Sequence, residues 1–210
     1  YKESDKLGGF DPYSSSKACA EIVTGSYRLS YINPSGYKQH LKSVATARSG
    51  NVIGGGDWSE DRIIPDMINA LTKGEILQVR NPKAERPWQH VLEPLGGYLL
   101  LGAKMNQNPV KFADCFNFGP NLEDDLSVEG LVKIALKEWG GGEYKIVENP
   151  DAPHEAGLLK LDITKAREVL GWQPKMNSAQ AIAKTIDWYK NFRGNPLEYT
   201  QNQVKDYFGI

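Results

Sequence analysis

The sequence is poor in the residues that build metal centres and disulfide frameworks. It holds two cysteines, Cys19 and Cys115, and three histidines in 210 residues. Two cysteines do not make the bridged scaffold of a small secreted domain, and each falls in a stretch that reads as buried helix or strand. Two buried thiols suit a reducing compartment, so the cytoplasm is the expected location. No histidine has a histidine or cysteine companion at ligand spacing, and no metal site is expected. An excess of either charge is missing too: 25 Lys+Arg stand against 26 Asp+Glu, a formal net charge of -1. A nucleic-acid surface therefore has no electrostatic support, and a phosphate ligand would have to be met by a few placed cations. The most apolar run, Tyr98-Leu99-Leu100-Leu101, is far too short to cross a bilayer, and neither a membrane span nor a signal peptide is expected. The chain also lacks an initial Met. It opens at Tyr1 on the polar stretch Lys2-Glu3-Ser4-Asp5-Lys6 and reads as the interior of a longer protein.

What is present alternates between helical and strand-like patterns, which points to an α/β arrangement. Asp11 can cap a long helix from about Tyr13 to Tyr31, with Pro12 at its first position. Ala18, Ile22, Val23, Ser26 and Leu29 recur on it at spacings of three and four. Val44–Ala47 suits a buried strand that empties into the glycine stretch Gly50–Gly56. A helix is expected over residues 62–73, carrying Ile63, Met67, Ala70 and Leu71, then a strand over 76–80. Val91–Met105 reads as a helix with Val91, Leu95, Tyr98 and Leu99 inward. Asp114–Phe118 reads as a strand, and Ser127 caps a helix whose Val128, Leu131, Val132, Ala135 and Trp139 share a face. Glu143–Val147 and Leu158–Leu161 suit short strands. Asp162 caps a helix ended by Gly171, and Ser178–Phe192 forms the last strong helix, with Ile182, Ile186 and Tyr189 inward.

Three groups of residues could carry chemistry. Tyr13 and Lys17 are four apart, so a helix puts the phenol and the ammonium on one face. A nearby cation favours phenolate, and such a tyrosine can take a proton from a sugar hydroxyl as hydride leaves the same carbon. Arg48–Trp58 runs from a strand into glycines, where ligands of open α/β sheets bind and where main chain can come close to a bound group. It is not the dinucleotide fingerprint, because no helix follows at the right spacing. Arg80-Asn81-Pro82 and Arg86-Pro87-Trp88-Gln89-His90 place two arginines around a short loop, and their planar forks suit a diphosphate. His90 itself reads as a core or helix-capping histidine.

Taken in order, Asp11–Lys17, Ala47–Trp58, Asp61–Asp66, Arg80–Pro82, Arg86–Leu95, Asn117–Pro120, Pro153–Glu155 and Leu170–Trp172 resemble the CDP-glucose 4,6-dehydratase family, nucleotide-sugar enzymes of the extended short-chain dehydrogenase/reductase superfamily. The Tyr/Lys pair marks only the superfamily. The Gly-Gly-Gly-Asp-Trp and Arg-Pro-Trp-Gln-His-Val segments are the specific ones. The resemblance implies the end of a Rossmann-type, doubly wound parallel sheet in residues 1–57. Residues 58–210 would form mainly a smaller α/β lobe for the nucleotide-sugar, interleaved with the first. It implies NAD as cofactor, Tyr13 as base on the C4 hydroxyl, and Lys17 beside it on the nicotinamide ribose. Asn51 would line the cleft near nicotinamide and sugar, and Arg62, Ile64 and Pro65 would face the nucleotide-sugar. Arg80 and Asn81 would lie near the cytosine and its ribose, Arg86 would grip the pyrophosphate, and His154 would close that end. A homodimer through the 13–31 helix is expected. The family's glycine-rich first βα turn has no counterpart here, nor do its residues for elimination of water. An N-terminal Rossmann half is therefore expected to be missing, leaving half an active site. Two further readings stay open: an epimerase or reductase on a related CDP-sugar, and a non-catalytic fragment that binds nucleotide-sugar.

Overall fold

The computed structural model describes residues 1–124, 126–147, 159–192 and 194–210. It divides into two compact units, each assembled from three separate stretches of chain. The first comprises Tyr1–Ser49, Leu95–Phe118 and Leu161–Gln173, and the second Gly50–Pro94, Gly119–Lys160 and Pro174–Ile210. Among the described residues no helix is long and apolar enough to cross a membrane.

In the first unit, helix α1 (Pro12–Ser30) starts where the sequence places it. The Asp11 carboxylate accepts from the Ser14 N–H at 2.9 Å, the Ser14 side chain bonds back to the Asp11 backbone, and Pro12 opens the first turn. A short turn over Pro34–Gly36 and helix α2 (Tyr37–His40) lead to strand β1 (Thr46–Ser49). The strand begins two residues later than expected, because the Thr46 N–H is the first to find a partner, the Asp114 carbonyl at 3.1 Å. Strand β2 (Val52–Ile53), helix α3 (Ile63–Lys73), strands β3 (Leu77–Val79) and β4 (Gln89–His90), helix α4 (Leu92–Gln107) and strand β5 (Cys115–Phe118) follow. β1 pairs in parallel with β5, Thr46 opposite Cys115 and Arg48 opposite Asn117. Phe116 and Phe118 are both fully buried and pack with Leu101, Phe112, Ile163, Leu170 and Trp172 into the unit's core. The Phe118 ring meets Trp172 edge-on at 5.0 Å.

Helix α5 (Val128–Trp139), strand β6 (Tyr144–Ile146), and helices α6 (Ser178–Asn191) and α7 (Pro196–Phe208) complete the second unit. Its ladders β2–β4 and β3–β6 are also parallel. Met67 and Ile68 of α3, Val79 of β3, Leu131, Val132 and Ala135 of α5, and Ile182, Ile186 and Tyr189 of α6 form its core. The expected inward faces of α5 and α6 are thus observed. Glu93, at the start of α4, is fully buried. Its carboxylate accepts from the Lys175 N–H at 3.0 Å, the Met176 N–H at 2.8 Å and the Tyr207 hydroxyl at 2.8 Å, and so ties α7 and the turn before α6 to one point.

Several expectations fail. Cys19 is exposed, and Cys115 is only half-buried. Of the apolar series on α1 only Ala18 is buried; Ile22, Val23 and Leu29 are exposed. The face of α1 that meets β1 is polar, so the apolar spacing marks the other side. Leu95 and Leu99 of α4 are exposed as well, since the face of the helix that meets the first unit's core carries Gly97, Tyr98 and Leu101. Residues 159–161 are not a strand, and Leu158 lies outside the described residues. The helix after Asp162 winds as a wider π turn over Ala166–Leu170, although Asp162 does accept from the Thr164 N–H at 2.8 Å and Gly171 does end the helix at φ 73°.

The glycine stretch has a packing role. A Cβ on Gly50 would lie 2.5 Å from Pro87, one on Gly54 2.8 Å from Val91, and one on Gly55 2.0 Å from the Trp188 ring. The main chain approaches the protein's own side chains there. Gly55→Ala should therefore destabilise the second unit by about 1–3 kcal/mol through overpacking. Chemical denaturation followed by tryptophan fluorescence checks this, and an unchanged midpoint would mean that Trp188 is free to move aside.

Candidate functional site

Tyr13 stands in the first turn of α1, with 73 % of its surface exposed, and Lys17 is exposed one turn on. The Lys17 ammonium lies over the Tyr13 ring, 5.3 Å from its centroid. Helical spacing thus brings the pair together as expected. Next along the same edge of α1 comes Glu21, whose Oε2 accepts from Arg48 Nη2 at 2.9 Å and from the Thr46 hydroxyl at 2.8 Å. Burial alone would push the Glu21 carboxyl up; the bonds from Arg48 and Thr46 outweigh it and hold it below the usual carboxylate range.

The remaining described candidates belong to the second unit. Asn51 sits just before β2, and its carbonyl accepts from the Gln89 N–H at 3.0 Å. Arg62 occupies the position before α3, which no side chain caps. Its guanidinium donates to Asp57 Oδ2 at 2.9 Å. Ile64 and Pro65 are buried, Ile64 within the unit's core. What this first turn can offer a ligand is mainly its main chain. Arg80 donates to Asp61 Oδ1 at 2.9 Å. Asp61 adjoins Arg62 and has φ 60°, a left-handed conformation that Asp tolerates better than most residues. Arg62 and Arg80 are therefore gathered at one short acidic turn. Burial raises the Asp57 carboxyl but the bonds from Ser59 and Arg62 hold it below its ordinary value, whereas burial and the charge of Asp61 push Asp66 up.

The arginine loop is pinned to the start of α5. The Pro82 and Ala84 carbonyls accept from the Glu129 and Val128 N–H groups, both at 2.9 Å, which satisfies donors that the first turn of a helix leaves over. Asn81 accepts from the Ala84 N–H at 3.3 Å. Arg86 is half-buried; its guanidinium donates to the Glu85 carbonyl at 2.9 Å, and its N–H to Leu126 at 3.4 Å. His90 is core and helix cap at once: it is 1 % exposed, and its Nδ1 accepts from the Leu92 N–H at 3.3 Å. Burial lowers its pKa to about 4, with the charge of Lys184 adding to the effect. His154 lies outside the described residues.

Sequence reasoning found the cations and missed their partners. Glu21 follows Lys17 by one helical turn, so helical spacing could have found it. Asp57 precedes Arg62 by five residues in a loop, and the Asp61–Arg80 pair spans nineteen. Neither carries a periodic signal.

Comparison with known proteins fits this geometry into a class. The family model described as GDP-mannose 4,6 dehydratase matches residues 1–185, and the chain belongs to that family. The chain is similar to CDP-glucose 4,6-dehydratase of Salmonella typhimurium, at 41 % identity over 209 residues, which is 99 % of this chain and 58 % of that protein. It is also similar to dTDP-glucose 4,6-dehydratase of Streptomyces antibioticus, at 26 % identity over 92 % of this chain and 53 % of the relative. Its fold is that of dTDP-glucose 4,6-dehydratase from Bacillus anthracis, solved in complex with NAD, with TM-score 0.73 and 20 % identity over 91 % of this chain and 56 % of that one. The chain thus spans little more than half the length of the proteins it matches.

The Asp61–Arg80 pair is mostly in water, with side chains 82 % and 57 % exposed. Such pairs contribute little, and Asp61→Asn should change stability by less than about 1 kcal/mol. A larger loss on denaturation would show that the left-handed turn depends on the ion pair.

Proposed function

We propose that a complete protein containing this chain converts CDP-glucose into CDP-4-keto-6-deoxyglucose and water, with NAD as cofactor. The observation that carries this reading is the 41 % identity to a CDP-glucose 4,6-dehydratase along nearly the whole chain. The placement of Tyr13 and Lys17 supports it, because both are exposed on one edge of α1 and so available to a nicotinamide ribose and a sugar. NAD, when bound, supplies the acceptor and donor of hydride. Tyr13 takes the proton of the C4 hydroxyl as that carbon is oxidised. The Lys17 ammonium over its ring balances the negative charge that Tyr13 carries as a base. Arg86 binds the pyrophosphate, while Arg80 and Asn81 sit beside the cytidine and Arg62, Ile64 and Pro65 beside the nucleotide-sugar. Asn51 lines the cleft, and His154 completes the pyrophosphate end.

In this reading residues 1–57 end the NAD-binding domain, and 58–210 form mainly the nucleotide-sugar lobe. The interleaved stretches of the two compact units support such an arrangement. A homodimer through residues 13–31 is part of the proposal, supported by the exposed Ile22, Val23, Tyr27, Leu29 and Tyr31 on α1. The free cysteines suit the cytoplasm. The product would feed deoxyhexose synthesis for cell-surface polysaccharide.

Two measurements test the reading. In the complete protein, Arg86→Ala should weaken binding of CDP by about 1.5–3 kcal/mol, the scale of a lost charged hydrogen bond, as read by calorimetry. Unchanged affinity would remove Arg86 from the site. Tyr13→Phe should bind CDP-glucose normally yet form no NADH in a single turnover; persistent NADH formation would refute its role as base.

A further inference from the structure

We infer that Glu21 is a positioning residue for the Tyr13/Lys17 pair: by joining α1 to Arg48 and Thr46 of β1, it sets the roll of the helix and hence where Tyr13 and Lys17 point. The inference rests on the proposed roles of those two residues.

Within this chain, α1 has little else to fix its roll. Ala18 is its one buried residue. The partly buried positions around it are Ser14, Ser15, Glu21, Thr24, Gly25 and Arg28. These are small or polar and offer no ridge of large side chains to lock into a groove. The bulky residues Ile22, Val23, Tyr27 and Leu29 lie on the exposed side. Within the chain, orientation therefore falls to the polar ties. Thr46 and Arg48 are two apart on a strand, so both side chains reach from one face of β1 to the same Glu21 oxygen. The Glu21 and Arg48 side chains are only 17 % and 22 % exposed, so water competes weakly for either partner. Two turns on, Arg28 stands 4.0 Å from Asp114, which precedes β5, and Asp114 also takes Lys165 at 2.6 Å. β1 is fixed in turn by its register with β5. Tyr13, Lys17 and Glu21 fall on a stripe about 80° wide, so a roll of the helix at Glu21 carries the catalytic pair with it.

The test uses the complete enzyme with CDP-glucose and NAD. Glu21→Gln keeps the size of the side chain and removes its charge. It should lower kcat about tenfold or more, the scale on which a misplaced catalytic group acts, while KM for CDP-glucose stays unchanged. Thr46→Val removes one of the two bonds and should give a smaller loss in kcat, again with KM unchanged; it carries the test if Glu21→Gln does not fold. An unchanged kcat, or a loss that merely follows the folded fraction measured by circular dichroism, would overturn the inference. Tyr13→Phe run in parallel separates the two claims. If Tyr13→Phe is inactive and Glu21→Gln is fully active, only the positioning role falls. If Tyr13→Phe still forms NADH, the reading of the pair as catalytic falls first.

Discussion

The main chain of Gly50–Gly55 lies against Pro87, Val91 and Trp188 at distances that admit no Cβ at three of its positions. The contact has two consequences. It allows the β2–β4 ladder, in which Gln89 and Val91 donate to Asn51 and Ile53 on either side of a two-residue pairing. It also fixes the chain on both sides of that ladder. Before β4 runs the loop with Arg80, Asn81 and Arg86, itself held by the first turn of α5. After β2 comes Asp57, whose carbonyl accepts from the Tyr189 hydroxyl at 2.6 Å, then Trp58 edge-on to the same ring at 5.2 Å. Asn51, Arg62 and Arg86 thus lie on chain that leads into or out of this ladder, while Arg80 directly follows β3 of the β3–β6 ladder.

Where apolar packing is thin, a carboxylate takes over. Glu93 gathers α7 and the turn before α6; Glu21 gathers α1 and β1. Their environments differ in a way their titration reflects. Burial pushes Glu93 up, because the two main-chain N–H groups and the phenol it binds are neutral and only partly compensate for lost water. Glu21 suffers burial too, yet a guanidinium faces it and the balance goes the other way. The Tyr207 hydroxyl is pushed up in turn by burial and by the charge of Glu93, so it remains a donor. Both helices anchored in this way present exposed apolar residues to solvent, including Leu29 on α1 and Leu197 on α7.

Capping and burial by large side chains were legible in the sequence. Asp11-Pro12 located the start of α1, Ser127 that of α5, and the Ile182/Ile186/Tyr189 series gave the inward face of α6. The pattern misled where the interior is polar. On α1 the apolar period is real but faces outward, because Glu21 turns toward β1 and Arg28 toward Asp114, just before β5. Helix α7 carries few apolar residues and is held by Gln203, Thr200 and Tyr207, so periodicity gave no sign of it. Strands of two residues, such as β2 and β4, are too short to show alternation. Of the candidate site, the spacing of Tyr13 and Lys17 foretold their contact. The glycine pattern suggests main chain close to a bound group; what the pattern does not show is that Gly50, Gly54 and Gly55 also stand against Pro87, Val91 and Trp188.

The near-neutral composition has a local counterpart at the candidate nucleotide site. Arg62 and Arg80 do not wait as bare charges; each has an aspartate at 2.9 Å. In the proposed reading a bound nucleotide-sugar would bring polar groups that compete for those forks. Such competition would cost least at Arg80, because its pair with Asp61 is largely solvated and exposed pairs are worth only about 0–1 kcal/mol, whereas the Asp57 side chain that faces Arg62 is only 34 % exposed. Buried pairs would hold the arginines too firmly to be exchanged, since breaking one strands a desolvated charge. Exposure thus gives the two pairs a different character from Glu21–Arg48. The latter is shielded from water and suited to holding a helix in place. The former hold cations beside carboxylates nearer the surface, Arg80–Asp61 most of all.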